Sequence, residues 1–169
     1  MLFTCCSASW LDPAFVAALI PDSYVVDLHE RMGLYQRLAT AENAPAVWDV
    51  VGSMNDLYGE TPAEVTALAE VMVLKHLLRN LNILALELTK PDEKYPLPRI
   101  VLSLGEQPKL DPVKLANWVK ANPSTLTLTP KMKLIYTPTK EEWLVTVGRD
   151  GIALAKYVIN QKISVLELH

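Results

Sequence analysis

The stretch Ile20–Leu38 reads I-P-D-S-Y-V-V-D-L-H-E-R-M-G-L-Y-Q-R-L and decides how the chain begins to fold. Pro21 breaks any helix that precedes it, and Asp22 or Ser23 can cap the backbone N–H groups of a helix that follows. Apolar residues then recur at spacings of four, three and four, namely Leu28, Met32, Tyr35 and Ala39. This pattern predicts an amphipathic helix over about 23–40 whose apolar stripe packs inward, against a long third helix.

The overall composition is that of a folded domain. The chain has 169 residues, of which half are hydrophobic, and its net charge is −3. A sizeable core is therefore expected. No run of Lys and Arg is present, so direct nucleic-acid binding is not expected. No stretch approaches eighteen uncharged apolar residues, so no membrane span is expected either.

The first residues and the cysteines indicate a cytoplasmic protein. The start, M-L-F-T-C-C-S-A-S-W, lacks the basic region of a signal peptide. Cys5 and Cys6 are the only cysteines, and two adjacent thiols cannot build a disulfide framework or a zinc site by themselves. We expect two reduced thiols and no bound metal.

Two further helices are predicted after the first. The second spans about 45–58, with Val47, Val50, Met54 and Leu57 on its inward face, and Gly59 suits its C-terminal cap. The third spans about 61–82 and opens with T-P-A-E, which is typical of a capping box. Apolar residues cover more than half of its circumference, so we expect it to be contacted from several sides.

The periodicity then changes to that of strands. Four segments are typical of strands: Ile83–Leu88, Arg99–Leu104, Thr125–Leu128 and Lys133–Tyr136. Asp111 and Pro112 start a helix between the second and third of them. The sequence thus predicts an α+β fold in which three N-terminal helices pack on a small β-β-α-β-β sheet unit with one covered face.

The expected domain organisation has three parts. Residues 1–20 form an N-terminal extension, 21–136 the folded domain, and 137–169 a C-terminal segment that we expect to be helical. Thr139 can cap a helix through K-E-E-W, although W-L-V-T-V at 143–147 has the composition of a strand as an alternative.

The sequence shows no clear set of residues for catalysis or for binding a cofactor. The six glycines are isolated, which argues against a phosphate-binding loop, and no bound cofactor is expected. His29 lies beside Glu30 on the first helix, but no spacing supplies it with a nucleophile or a second acid–base group. His76 lies on the apolar third helix and is expected at the edge of the core. An enzyme remains an alternative with His29 as its candidate.

A binding face is the stronger candidate. Asp49, Ser53 and Asp56 are spaced four and three apart on the second helix, so they share one face, away from its apolar residues. On these residues alone, a solvated surface explains them as well as a docking site does. The E-K-Y-P stretch at 93–96 similarly fits a recognition loop or an ordinary turn.

Several of these motifs resemble one family. The opening stretch, with its proline, acid, tyrosine and L-Y-x-R-L, resembles the start of the C-terminal domain of the bacterial transcription-repair coupling factor (Mfd). S-M-N-D-L-Y-G at 53–59 is similar to the family's E-L-x-D-R-F-G. L-D-P-V-K-L at 110–115, with N-P at 122–123, and P-K-M-K-L-I-Y at 130–136 follow in the family's order. The resemblance covers about 20–136.

The resemblance implies a function. The family's full-length protein is an ATP-driven DNA translocase that pushes stalled RNA polymerase off damaged template and recruits UvrA for nucleotide excision repair. Its C-terminal domain is implied to be a non-catalytic regulatory clamp that packs on the UvrB-like module of the same protein and hides the UvrA-binding surface. A free-standing adaptor with the same fold and another protein partner is the alternative.

The family's acidic face on the second helix maps onto this chain in part. Asp56 matches the family's acid, whereas Ser53 replaces a Glu and Leu57 replaces an Arg. Asp49 lies one heptad before Asp56 and would restore charge to the same face. Asp49, Ser53 and Asp56 are therefore the expected protein-interaction residues.

Overall fold

The computed structural model describes residues 18–89, 91–142, 154–155 and 157–163. The chain divides into two compact units. The first, Val16–His76, is called the helical unit, and the second, which includes Leu77–His169, is called the sheet unit. Helices and one four-stranded antiparallel sheet together confirm the predicted α+β class. The predicted division at residues 20 and 136 stays a prediction.

The first helix, α1, spans Leu28–Thr40 and begins five residues later than predicted. The carbonyl of Pro21 accepts hydrogen bonds from the N–H groups of Tyr24 and Val25, both at 3.1 Å, which closes a separate turn. Asp27 then caps the helix, because its carboxylate accepts from the Glu30 N–H at 2.8 Å. The cap is thus Asp27, and neither Asp22 nor Ser23 starts the helix.

The inward face of α1 also differs from the predicted one. Leu28 and Met32 are 62% and 58% exposed, while Leu34 and Leu38 are buried. Tyr35 is half-buried, and its hydroxyl accepts a hydrogen bond from the Ile20 N–H at 2.8 Å. The predicted stripe through Leu28 and Met32 is therefore wrong as a packing face, and the buried stripe lies about a third of a turn away.

The second helix, α2, spans Ala44–Tyr58. Asn43 caps its start by accepting from the Ala46 N–H at 2.9 Å. Gly59 ends it with a φ of 89°, a conformation that favours glycine, and its N–H bonds the Asn55 carbonyl at 3.0 Å. Leu57 was predicted to face inward, but it is 71% exposed.

The third helix, α3, spans Ala63–Asn80 and contributes its first part to the core of the helical unit. That core is built from residues that precede α1 and from all three helices, namely Ile20, Val25, Leu34, Leu38, Val47, Val50, Val51, Met54, Val65, Leu68 and Ala69. Burial of these apolar side chains is the main stabilising term of the unit.

The sheet unit contains four strands and one helix. The elements are β1 (Ile83–Leu88), β2 (Ile100–Leu104), α4 (Pro112–Ala121), β3 (Leu126–Leu128) and β4 (Lys133–Tyr136). The strand order is β1-β2-β4-β3, with every neighbouring pair antiparallel. In this register Ile100 and Leu126 both lie opposite Tyr136, and all three side chains are buried.

The helix α4 is capped as predicted. The carboxylate of Asp111 accepts from the N–H groups of Val113 at 2.8 Å and Lys114 at 3.1 Å, and Pro112 occupies the first turn, where its missing N–H costs nothing. Leu115 is the buried residue of this helix.

The C-terminal part is helical where it is described. Thr139 and Glu142 form a reciprocal capping box: the Thr139 N–H donates to the Glu142 carboxylate at 3.0 Å, and the Glu142 N–H donates to the Thr139 hydroxyl at 3.2 Å. Val158–Ile163 forms a π-helical segment. The stretch 143–147, for which helix and strand were both considered, lies outside the described residues, as do Cys5 and Cys6.

Candidate functional site

The outward face of α2 carries the three predicted interaction residues. Asp49 and Asp56 are exposed. Ser53 is half-buried, and its hydroxyl donates a hydrogen bond to the Asp49 carbonyl at 2.9 Å, within the helix. This bond uses the one donor of the Ser53 hydroxyl, so towards a partner the hydroxyl could only accept. The structure thus leaves the two carboxylates as the charged groups of this face.

No residue that the structure describes neutralises either carboxylate. Among the described residues, Asp49 and Asp56 take part in no ion pair, and α2 contains no Lys or Arg. They are seven positions apart in sequence, which corresponds to about 10 Å along a helix axis. The helical unit as a whole contains nine Asp and Glu residues against three Lys and Arg residues. The face therefore carries an excess of negative charge.

Apolar residues and a glycine complete the face. Trp48 is 41% exposed and Leu57 is 71% exposed, and Gly52 lies between the two carboxylates in sequence. The sequence pattern marks neither Trp48 nor Gly52, and it predicts that Leu57 lies in the core. A glycine inside a predicted helix was the available signal, because glycine weakens helices and needs a local reason.

The C-terminal end of α2 is fastened to its surroundings by tyrosines. Tyr58 donates to the Glu30 carboxylate at 3.1 Å, and Tyr24 donates to the Gly59 carbonyl at 2.9 Å. The two rings pack edge to face with centroids 5.8 Å apart. Desolvation, followed by the carboxylates of Glu30 and Asp27, raises the pKa of Tyr58. These contacts hold the helix end beside Asp56 in a fixed position.

The β1–β2 connection is an internally bonded turn. The Asp92 carboxylate accepts from the N–H groups of Lys94 at 3.0 Å and Tyr95 at 2.7 Å, and it pairs with Arg99 at 3.8 Å. The Arg99 guanidinium stacks on the Tyr95 ring, 3.9 Å from its centroid. These bonds fold the E-K-Y-P stretch as a turn.

A polar cluster joins β4 to the C-terminal segment. The Glu142 carboxylate lies 3.8 Å from the Lys162 ammonium and beside the hydroxyl of Tyr136. Burial and the neighbouring carboxylate raise the pKa of Tyr136. Burial alone would raise the pKa of Glu142, but the Thr139 N–H, the Tyr136 hydroxyl and Lys162 outweigh it and lower that pKa. These contacts connect β4 with the C-terminal segment. Their geometry is not that of a catalytic acid–base pair in a cleft.

The geometry around His29, the candidate catalytic residue, does not support a catalytic role. His29 is exposed on α1. An open depression near the α1–α2 turn does not include it and is lined by Arg37, Thr40, Ala41, Glu42, Asn43, Ala46 and Val50. The described residues contain no group of three or more His, Cys, Asp or Glu side chains arranged to hold a metal ion. None of their helices is both long and apolar enough to cross a membrane.

Comparison with known protein families shows to which family this chain belongs. Residues 15–112 match the model of the TRCF domain. The chain belongs to the TRCF-domain family. A curated relative, the transcription-repair-coupling factor of Myxococcus xanthus, is 37% identical over 142 residues, which is 84% of this chain. The same match covers 11% of the relative, so the chain spans about a tenth of that protein's length.

A solved structure shows the same fold. The crystal structure of the C-terminal domain of a transcription-repair coupling factor superposes with a TM-score of 0.58 and 17% identity, covering 90% of this chain and 92% of the other. The family membership that the opening motifs predicted is thus confirmed, and so is the fold. The TRCF domain matched here includes the whole of α2, on which the interaction residues lie.

Proposed function

We propose that this TRCF domain is a non-catalytic regulatory domain of a transcription-repair coupling factor, which docks on a UvrB-like module of its parent protein. In the docked state it would mask the surface that binds UvrA and restrain the motor. Its role would belong to transcription-coupled nucleotide excision repair in the cytoplasm, and its contacts with UvrA and RNA polymerase would be indirect.

The uncompensated carboxylates of Asp49 and Asp56 carry this proposal. Both are exposed on one helix face that has no cation of its own, which is what a contact with a basic protein surface requires. Phosphates and carboxylates repel each other, so the same face would not attract DNA. Family membership supplies the parent protein in which such a contact would act.

The contact that we propose is modest and therefore reversible. Exposed ion pairs contribute about 0.2–1 kcal/mol each, so two of them bias an equilibrium without locking it. Binding of RNA polymerase and ATP to the open form would then shift the population away from the docked state. Ser53 stands where the family has Glu, and Asp49 would restore the lost charge to the same face.

Deletion in the full-length parent protein tests the regulatory role. The ATPase rate and the affinity for UvrA are measured with and without the segment that corresponds to this chain. A rise in either quantity on deletion supports a restraining domain. If both stay unchanged, the regulatory role is wrong, and a free-standing adaptor that binds another protein becomes the better proposal.

A further inference from the structure

Positive charge is concentrated outside the helical unit. That unit holds three of the sixteen Lys and Arg residues, so the other thirteen lie in the remainder of the chain, against ten Asp and Glu residues there. The net charge of −3 is therefore the sum of an acidic helical unit and a basic sheet unit. A surface of the sheet unit that gathers several of these cations would attract a negatively charged partner.

Three loops of the sheet unit meet at one end of the sheet, where β1 begins, β2 ends and β4 begins. The Lys109 N–H donates to the Leu81 carbonyl at 3.0 Å, which joins the β2–α4 connection to the residues before β1. The Leu104 N–H donates to the Met132 carbonyl at 2.9 Å, which joins β2 to the turn of the β3–β4 hairpin. Because neighbouring strands lie about 4.8 Å apart, the three loops form a row about 10 Å wide.

Four cations lie on or beside these loops, and together they are called the basic end: Arg79, Lys109, Lys131 and Lys133. Lys133 is half-buried, and the other three are exposed. Among the described residues, none of the four forms an ion pair. Of the two acids in the β2–α4 connection, Glu106 is exposed, and the carboxylate of Asp111 caps α4. Positive charge therefore outweighs negative charge at this end of the sheet.

Met132 occupies the hairpin turn between Lys131 and Lys133. Its N–H donates to the Thr129 carbonyl at 3.1 Å, and its φ is 55°, a left-handed conformation that favours glycine at this position of a hairpin. Its side chain is 42% exposed. A methionine here costs stability relative to glycine and places an apolar side chain between two cations, which a contact with a partner would explain.

We propose that the basic end binds duplex DNA through its phosphates, independently of base sequence. DNA carries one negative charge per about 1.7 Å of helix axis, so a row of cations about 10 Å wide can meet several phosphates. Proteins that bind the minor groove insert methionine and other apolar side chains beside their basic contacts. The Met132 side chain enters the groove, while the lysines on either side of it contact the backbone.

The structure alters the expectation drawn from the sequence. The four cations come from three separate segments, so no run of Lys and Arg marks them along the chain. Backbone hydrogen bonds bring these segments together at the end of the sheet. The proposed DNA contact belongs to the sheet unit and is independent of docking through α2.

The test measures binding of the 169-residue chain to a fluorescently labelled duplex by anisotropy at several salt concentrations. We expect a Kd of about 1–100 µM at about 50 mM salt. Each of four phosphate contacts contributes about −0.9 to the slope of log K against log salt, so the slope should be about −3.6. A chain that does not bind the duplex at low salt overturns the proposal.

Lys120 and Lys140 provide a matched control. Both are exposed, and they come before the start of β3 and after the end of β4, two strand ends that lie opposite the basic end. We expect Lys131→Gln/Lys133→Gln to weaken binding at least tenfold and to reduce the salt slope by about 2. Lys120→Gln/Lys140→Gln removes the same charge and should change Kd less than twofold. An equal loss in both variants would mean that net charge alone drives binding, against the proposal.

Met132→Gly separates the DNA contact from stability. Glycine suits the φ of 55°, so this variant should melt at a higher temperature, yet it should bind the duplex at least threefold more weakly. Unchanged binding would show that the Met132 side chain does not enter the groove. Glu106→Gln removes the opposing carboxylate and should tighten binding at least twofold. An unchanged Kd in that variant would place the DNA away from the basic end.

An acidic protein surface is the other partner that has the required charge. A polyglutamate peptide of the same total charge as the duplex is therefore added as a competitor. We expect it to compete at least tenfold more weakly than unlabelled duplex, because a flexible chain of carboxylates offers no groove to Met132. Equal competition would assign the basic end to an acidic protein and contradict DNA binding.

Discussion

The hydroxyl of Tyr58 donates a hydrogen bond to the carboxylate of Glu30 at 3.1 Å and so joins the end of α2 to the first turn of α1. We predict that Tyr58→Phe lowers the urea midpoint of unfolding, because it removes this bond and keeps the ring contact with Tyr24. A double-mutant cycle with Glu30→Ala measures the pair itself. Additive effects of the two substitutions would contradict the coupling.

A second prediction concerns the N-terminal cap of α4. Asp111→Ala leaves the N–H groups of Val113 and Lys114 without their partner and should destabilise the fold by about 1 kcal/mol. Asp111→Asn keeps a side-chain oxygen in place and should cost less. Chemical denaturation of both variants checks the order, and equal losses would show that charge matters more than capping.

Substitution by alanine should change the stability of the fold in opposite directions at two glycines. A Cβ atom at Gly105 would lie 2.9 Å from the Asn82 backbone carbonyl, which cannot move aside cheaply, so Gly105→Ala should destabilise by about 1–3 kcal/mol. Gly52 has open space, so Gly52→Ala should stabilise by about 0.5–1 kcal/mol. Thermal unfolding of each variant is the measurement, and a destabilised Gly52→Ala would contradict it.

The cluster at Glu142 predicts a pH dependence of stability. The pKa of this carboxyl is lowered in the folded chain from its usual value of 4.5, so the unfolded chain takes up the proton first as pH falls. The stabilisation is complete well above pH 4.5 and is lost as the pH falls through the lowered folded-state pKa. Glu142→Gln should show a smaller fall in the urea midpoint between about pH 5 and pH 3. An unchanged slope would contradict the role of Glu142.

The sequence predicts most helices and strands correctly because the residues at their ends have strong local conformational preferences. Asp111–Pro112 marks a helix start, Gly59 marks a helix end, and Ile83–Leu88 and Lys133–Tyr136 match the observed strands. The start of α1 was missed because Pro21 closes a turn of its own before Asp27 caps the helix. Competing polar residues near a helix start cannot be ranked without their backbone conformations.

The faces of the helices were harder to predict. On α1 two apolar stripes lie close together, one through Leu28 and Met32 and one through Leu34 and Leu38, and a period of 3.6 fits both. Tertiary packing decides between them. On α2 the exposure of Asp49 and Asp56 followed from the pattern, but that of Leu57 did not, because an apolar residue on a flank fits either side.

Docking through the face of α2 would depend on a surface outside this chain. The face has two carboxylates, exposed apolar side chains and an exposed glycine, Gly52. Whether they form a contact is decided by the complementary shape and charge of the UvrB-like module. Binding therefore tests the account more sharply than stability does.

The most direct measurement is the Kd between this chain and the UvrB-like module at low salt, where ion pairs are least screened. We predict that Asp49→Lys/Asp56→Lys weakens binding by at least tenfold. Asp22→Lys/Glu42→Lys reverses two other exposed acids of the helical unit and changes the net charge equally, so it should weaken binding much less. Unchanged affinity in the Asp49→Lys/Asp56→Lys variant would contradict the account.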